Sequence, residues 1–393
     1  MEALRLIWDE TFTKYDFGDA HPMSPIRLEL TARLVRDLGL LAHAGVHVHG
    51  VDPVGDEILM TVHDPGFVEA VKAASVRPPR LDEAHGLGTE DVPVFEGMHE
   101  ASARIVGGTL DLARAVWQRE AAHGVNFAGG MHHAMPDHAS GFCVYNDSAV
   151  AIRALLDEGA ERVCYIDIDV HHGDGVERVF WDDPRVLTIS LHETGRVLFP
   201  GTGFPGDFGG PAAPGSVVNL AFPPGTSDAP WLRGFHAVVP QLVRAFDPQI
   251  LVTQHGCDSH SLDPLAHMVL SLDCQVESYR VLHELAHEVC DGRWVAVGGG
   301  GYELVDVVPR AWAHLVGIAA HHPVPPETLV PSAWRDYVEQ RFGRQAPRRM
   351  TDGKDVSYRP WTAGHDPEDA VDHAVLSTRK AVFPLHGLDP WSD

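Results

Sequence analysis

Three carboxylates and two imidazoles crowd into the stretch from Tyr165 to Gly175, YIDIDVHHGDG. The apolar, β-branched run that leads into it has the composition of a buried strand. A charge taken out of water is destabilising by on the order of several kcal/mol unless something compensates it. Asp169 and His171, joined by Asp258 from another loop, would make a divalent-metal site with three protein ligands. Three ligands leave positions open for water and substrate, the pattern of a catalytic rather than a structural metal. Strand periodicity predicts Asp167, Asp169 and His171 on one side of the chain. Taken alone, an Asp-x-His pair is more often a capping aspartate beside a surface histidine, so the reading rests on what accompanies it.

His132-His133 follows a double glycine and supplies acid/base candidates. Hydrolysis needs a group that takes a proton from water and returns one to the leaving amine. Each imidazole also needs a carboxylate to fix its tautomer, and Asp167 and Asp174 are the two not committed to metal. In a chain with 26 histidines an adjacent pair can arise by chance; its place after a strand argues otherwise. Tyr302 follows four glycines, and Glu303 stands where a G-x-G-x-x-G dinucleotide fingerprint needs glycine. Backbone without side chains can approach a ligand closely, and a phenol there can donate to a developing oxyanion.

The elements that must position these residues are short apolar strands at 125–128, 162–170, 185–191, 217–222, 250–254 and 294–297. Helical segments lie between most of them, such as 148–158 closed by Gly159, and Ser24-Pro25 opens an earlier helix running to about Leu41. Strands alternating with helices imply a parallel sheet covered on both faces. The His-, Asp- and Gly-rich loops at 129–142, 171–175, 190–193, 254–260 and 298–302 each follow a strand. In a parallel sheet all strand C-termini lie along one edge, where sites form, so these loops are expected to meet.

His283-Glu284-Leu285-Ala286-His287 matches the H-E-x-x-H zinc-peptidase helix. On a helix, however, Val281, Leu282, Leu285 and Val289 share the apolar face and both histidines turn to solvent. Cys290 also stands where the extended motif needs glycine. No G-x-S-x-G occurs, so a serine-hydrolase reading has no support.

The totals bound the rest. A net charge of −25 over 393 residues excludes a nucleic-acid backbone as partner. Cys143, Cys164, Cys257, Cys274 and Cys290 form no C-x-x-C pair, so reduced thiols and a cytoplasmic home are expected. Neither a secretion signal nor a membrane-spanning apolar run is visible. From about residue 321 to 393 the chain turns rich in Pro, Arg and Trp, and reads as an extension packed on a catalytic domain formed by residues 1–320.

GGMHHAMPDHASGFCVYND, YIDIDVHHGDGV, SLHETGRVLFPGTG, QHGCDSHSLDP and GGGGY, in this order, resemble the metal-dependent histone-deacetylase superfamily. With HPMSPIRLELT and GTEDVPVFEGMHEASARIVGGT the pattern is most similar to bacterial acetoin-utilization-type deacetylases. The resemblance covers about residues 5 to 320 and implies a three-layer arginase/deacetylase-like α/β fold with a mostly parallel central sheet flanked by helices. It implies hydrolysis of N-ε-acetyl-lysine in proteins, with release of acetate, by a zinc enzyme (Fe²⁺ being the alternative).

Position by position, Asp169, His171 and Asp258 match the metal ligands; His133, paired with Asp174, matches the general base and acid; and His132, paired with Asp167, matches its electrostatic partner. Tyr302 matches the carbonyl and oxyanion donor, Phe142 and Phe199 the aromatic walls, and the Gly141 carbonyl the acceptor of the amide N–H. Asp91 matches a rim carboxylate, and Arg27 resembles an arginine near the acetate exit. Asp167, Ser190 and the carbonyls of Asp169, His171 and Leu191 resemble a potassium site.

Met131 stands where many eukaryotic members have Trp, and Leu265 where polyamine-specific members carry an acidic residue. The latter ranks acetylpolyamines below acetyl-lysine as substrates. Asp258-Ser259-His260 offers one carboxylate where the binuclear ureohydrolases have two, which favours a single catalytic metal. A non-catalytic acetyl-lysine binder on the same scaffold is the rival from another class. The family points to an acyl-CoA synthetase as a partner; oligomeric state is not read from the sequence.

Overall fold

Short runs of aliphatic and β-branched residues form the strands of the computed structural model, which describes residues 1–392. They are β1 (Glu2–Ile7), β2 (Val46–His49), β3 (Ala121–Asn126) and β4 (Val163–Asp167). Beyond these come β5 (Val186–Glu193), β6 (Val217–Phe222), β7 (Ile250–Gln254) and β8 (Trp294–Val297). All pair in parallel within one sheet, in the order β2-β1-β3-β8-β7-β4-β5-β6. Every residue of β4, β5, β7 and β8 is buried. A parallel sheet needs that cover, because its crossovers lay helices on both faces.

The helices are α1 (Ile26–Asp37), α2 (Asp56–Leu59), α3 (Pro65–Ala74), α4 (Met98–Trp117), α5 (Asp147–Asp157) and α6 (Asp174–Phe180). They continue with α7 (Asp228–Phe246), α8 (Leu272–Cys290), α9 (Val308–Ala319), α10 (Ser332–Phe342) and α11 (Ala370–Val382). α1, α9, α8, α7 and α11 pack side by side in one layer, and α3, α4, α5 and α6 in another. The result is a three-layer α/β fold. No helix among the described residues is long and apolar enough to cross a membrane.

Four elements differ from the sequence expectation, one being the loop expected at 190–193, which is the end of β5. The strand expected at 162–170 stops at Asp167, because the Asp167 carboxylate accepts the Asp169 amide at 3.1 Å and the Asp169 carboxylate accepts the His171 amide at 3.0 Å. Side-chain turns of this kind compete with a ladder and coil the backbone. The strand expected at 125–128 begins four residues earlier and ends at Asn126. The first helix is capped at Pro25 and ends at Asp37, where Gly39 takes a φ of 77° and leads into a separate 3₁₀ turn.

Residues beyond 320 clasp both ends of the helix layer. The buried Trp334 indole donates to the Leu30 carbonyl of α1 at 2.9 Å. Arg233 of α7 forms a two-pronged pair with Asp372 of α11 at 2.5 and 2.8 Å. Asp352 accepts from Arg310 at 2.9 Å and from His260 at 2.8 Å.

His63 fixes the loop that follows β3. Its Nδ1–H donates to the Met135 carbonyl and its Nε2 accepts the Asn146 amide, both at 3.0 Å, so the ring must stay neutral. Burial holds it down to about 4 from an ordinary 6.5. The unfolded chain takes up that proton near 6.5, so this contribution to stability is complete above 6.5 and is lost as the pH falls toward 4. The urea midpoint is expected to fall from pH 7 to pH 5. His63→Gln, less stable at pH 7, should flatten that slope by about 1.4 kcal/mol per pH unit.

Candidate active site

The sheet order sets β3, β8, β7, β4 and β5 side by side, so the loops leaving their C-terminal ends converge. Asp169 and His171 come from the coil after β4, and Asp258 from the loop after β7. All three are buried, and one ligand atom of each lies within 4.8 Å of the others. His171 Nδ1 sits 3.1 Å from both Asp169 Oδ1 and Asp258 Oδ2. Burial opposes a charge on His171, but the two carboxylates outweigh it and raise the imidazole to about 10. Burial and the charge of Asp169 push the Asp258 carboxyl up to about 6. A divalent cation competes for the lone pairs that hold this proton, so the donor set fits a metal. Gly300 shapes the same space: its amide donates to Asp169 Oδ2 at 2.8 Å, and a Cβ there would collide with the Asp169 and Asp258 carboxylates.

The two histidines after β3 have different partners. His132 Nδ1 donates to Asp167 Oδ2 at 2.8 Å, and His133 Nδ1 donates to Asp174 Oδ1 at 2.7 Å. Burial disfavours charge on His132, yet Asp167 and Asp169 lift it to about 9. For His133, burial and the neighbouring His132 prevail over Asp174 and push it down to about 4. At neutral pH one ring is therefore an imidazolium and the other an imidazole with its Nε2 lone pair available, the split that acid/base chemistry needs.

A cavity of about 270 Å³ opens onto these groups, lined by Asp91, His133, Gly141, Phe142, His171, Leu198, Phe199, Leu265 and Tyr302. The Phe199 ring stands 5.0 Å from that of His133, and the Phe142 ring edge-on to Tyr302 at 5.7 Å. Phe142 adopts a φ of 64°, rare for a bulky residue; the Tyr15 hydroxyl holds its carbonyl at 2.7 Å. Asp91 accepts the Gly141 amide at 2.7 Å. Burial raises the Tyr302 phenol well above its ordinary value, and it stays protonated.

Arg27 lies behind this cavity rather than in it. It is buried, and its guanidinium donates to the carbonyls of Gly299 at 2.7 Å and Gly301 at 3.3 Å, clamping the glycine loop that carries Tyr302. Ser190 makes a 2.8 Å bond to His192, beside Leu191 on β5. Among the described residues no amide hydrogen-bonds the Asp169 or His171 carbonyl.

Several supporting residues escaped the sequence reading. Gln254 ends β7 and donates to Asp169 Oδ2 at 2.8 Å, and the Tyr165 hydroxyl donates to Asp167 Oδ2 at 2.7 Å. Asp147, at the start of α5, accepts the amides of Gly130 at 3.0 Å and Met131 at 2.8 Å. Asp263 accepts the Tyr302 amide at 2.8 Å and the Leu265 amide at 3.0 Å. Tyr165 was legible, since it lies two residues before Asp167 on one face of β4. The others act across loops distant in sequence.

Buried carboxylates, paired histidines and a phenol thus converge at the C-terminal edge of a parallel α/β sheet. Residues 21–319 match the family model of the histone deacetylase domain. The chain belongs to the histone deacetylase family and is a hydrolase of the deacetylase class. It is 40% identical over 348 residues to the acetoin utilization protein AcuC of Bacillus subtilis (strain 168), covering 84% of this chain and 89% of that one. It is 37% identical over 361 residues to the protein of the same name from Staphylococcus aureus (strain MSSA476), covering 91% and 92% of the two chains. That of Staphylococcus xylosus is 37% identical over 330 residues, with coverage of 84% and 85%.

Asp263 positions two cavity walls without touching the cavity's reactive end. Asp263→Ala is expected to lower kcat/KM roughly 10- to 100-fold, as loss of an outer-layer partner typically does. Bound metal measured by mass spectrometry should stay at the wild-type level.

Proposed function

We propose that this chain removes acetyl groups from N-ε-acetyl-lysine side chains of proteins, releasing acetate. The observation that carries the reading is the cavity of about 270 Å³ with apolar walls at Phe142, Phe199 and Leu265 and a polar end at His133, His171 and Tyr302. Such a shape suits four methylenes ending in a neutral amide. Leu265 offers no carboxylate to a second ammonium, which ranks acetylpolyamines lower. Asp91 at the rim accepts from the substrate backbone, and Gly141 accepts the scissile amide N–H.

Asp169, His171 and Asp258 would hold a single divalent ion, which would supply Lewis acidity at the polar end of the cavity. Two carboxylates and one imidazole suit Zn²⁺ and also accept Fe²⁺. His133 takes the proton of the attacking water at Nε2 and returns it to the lysine nitrogen as the C–N bond breaks. Its 2.7 Å bond to Asp174 fixes the tautomer this requires. Tyr302 donates to the carbonyl oxygen as negative charge gathers on it. His132, charged against Asp167, stabilises that charge from behind. Arg27, anchoring the glycine loop, faces the route by which acetate leaves. Asp167, Ser190 and the carbonyls of Asp169, His171 and Leu191 would bind potassium, a second cation for the buried carboxylates.

The buried, unpaired thiols suit a reducing cytoplasm, and the net charge of −25 suits protein rather than nucleic-acid substrates. An acyl-CoA synthetase acetylated on lysine is the partner class we favour. Residues 1–320 form the catalytic domain in this reading, and 321–393 a strap on it.

Tyr302→Phe should lower kcat by about 10²- to 10³-fold with bound metal unchanged, the loss typical of one oxyanion donor. Full activity in that variant would remove Tyr302 from the mechanism. The decisive assay is acetate release from an acetyl-lysine peptide and from acetylspermidine, side by side with Asp258→Ala. Peptide turnover that vanishes in the variant supports the proposal, and preference for the polyamine overturns its substrate class.

A further inference from the structure

The two histidines of the HELAH helix do face outward, but they are not alone. His283, half-buried, and His287, exposed, meet His321 from the turn after α9 and the buried His123 of β3. One nitrogen from each ring lies within 4.8 Å of the other three. The ring centroids are 4.6–5.4 Å apart for every pair, for example 4.6 Å for His283 with His287 and 5.4 Å for His287 with His321. The cluster sits at the N-terminal side of β8, where His123 is paired with Trp294, whereas the catalytic loop leaves the other end of β8 after Val297.

His123 indicates what the cluster is for. It is fully buried, and its Nδ1 donates to the Ala319 carbonyl at 2.8 Å. That bond fixes the tautomer and leaves Nε2 with a lone pair, and Nε2 has no hydrogen-bond partner. A buried imidazole whose second nitrogen is satisfied by a backbone carbonyl is how a metal-ligating histidine is held, while an orphaned buried acceptor is uncommon and calls for an explanation. The geometry agrees. A tetrahedral ion with nitrogen bonds of about 2.0–2.1 Å spaces its ligands about 3.3 Å apart; His283 Nε2 and His287 Nε2 already stand 3.2 Å apart. At Gly292, with a φ of 76°, a Cβ would collide with the Nδ1 and Cε1 edge of His287, whose Nε2 faces His283. His321 also adopts a positive φ, 59°, uncommon without glycine, which turns its ring toward the other three.

We propose that His123, His283, His287 and His321 form a second metal site, separate from the catalytic one, for a late first-row divalent ion such as Zn²⁺. Imidazoles alone suit zinc, copper or nickel rather than magnesium or calcium. Four protein ligands close the coordination sphere, so the ion is structural and holds α8 to β3 and to the end of α9. The peptidase alternative fails on the base: Glu284 is exposed and pairs with Arg280.

The test is zinc stoichiometry on the tag-free full chain, loaded with Zn²⁺ and freed of weakly bound ion by gel filtration against a micromolar chelator. Two equivalents are expected in the wild type, one in His283→Ala/His287→Ala and one in Asp258→Ala, and none when all three substitutions are combined. Zn²⁺ should raise the Tm of Asp258→Ala but not that of the combined variant, and the outward-facing double variant should deacetylate at the wild-type rate. A single equivalent in the wild type that Asp258→Ala loses, two in the double variant, or none in Asp258→Ala would each overturn the proposal. Failure of the catalytic reading alone would instead appear as lost turnover with this second equivalent intact. His321→Ala, a single change in the turn after α9, repeats the test should the double variant fold poorly.

Discussion

Asp167, Asp169 and Asp258 are buried within hydrogen-bonding reach of shared partners at the ends of adjacent strands, and the molecule is built around keeping them there. No aliphatic packing compensates such charges. The fold meets them with donors from five chain segments: the Gly300 and Val170 amides, the Gln254 amide group, the Tyr165 hydroxyl, and the rings of His132 and His171. Each donor occupies a lone pair and leaves others convergent. The same arrangement that makes the carboxylates tolerable leaves Asp169 and Asp258 converging on His171.

The histidines show how far environment outweighs residue type. His132 and His133 are neighbours with rings 4.0 Å apart, yet one is driven to about 9 and the other to about 4. The difference follows from what each ring sees: two buried aspartates around His132, and a charged imidazole beside His133. His63 and His172 are structural. The former pins the loop after β3, and the latter bonds Thr202 at 2.8 Å and Glu177 at 2.7 Å, steadying the segment that carries Phe199. In a chain with 26 histidines the same side chain is thus a buried cation at His132, a neutral ring at His133 and a loop pin at His63 and His172.

Support for the site reaches well beyond its lining. Asp263 holds the walls at Tyr302 and Leu265, Arg27 clamps the glycine loop, and Asp147 ties the turn that presents the histidine pair. Residues after 320 add their own clasp through Trp334, Asp352 and Asp372, each bonded to a helix of the layer that flanks the sheet. Geometry at this end of the sheet is therefore set by hydrogen bonds between segments as far as 272 residues apart in sequence.

Much of this was legible in the sequence. The alternation of strands and helices gave the parallel sheet, and the spacing of Asp169 and His171 and the glycines before Tyr302 marked loops that β3, β4, β7 and β8 bring together. The apolar face of α8 was also correct at Val281, Leu282 and Leu285. Three things were not. Asp169 and His171 do share a side with Asp167, but in coil formed by side-chain turns after β4 and not in the strand expected there. Gln254 and Asp263 gave no signal, since a single polar residue means nothing until its partner is known. The outward histidines of α8 looked idle because His123 and His321 lie far from them along the chain. Local pattern is written in residue types and their spacing; convergence depends on crossovers and register, and those are fixed only when the sheet assembles.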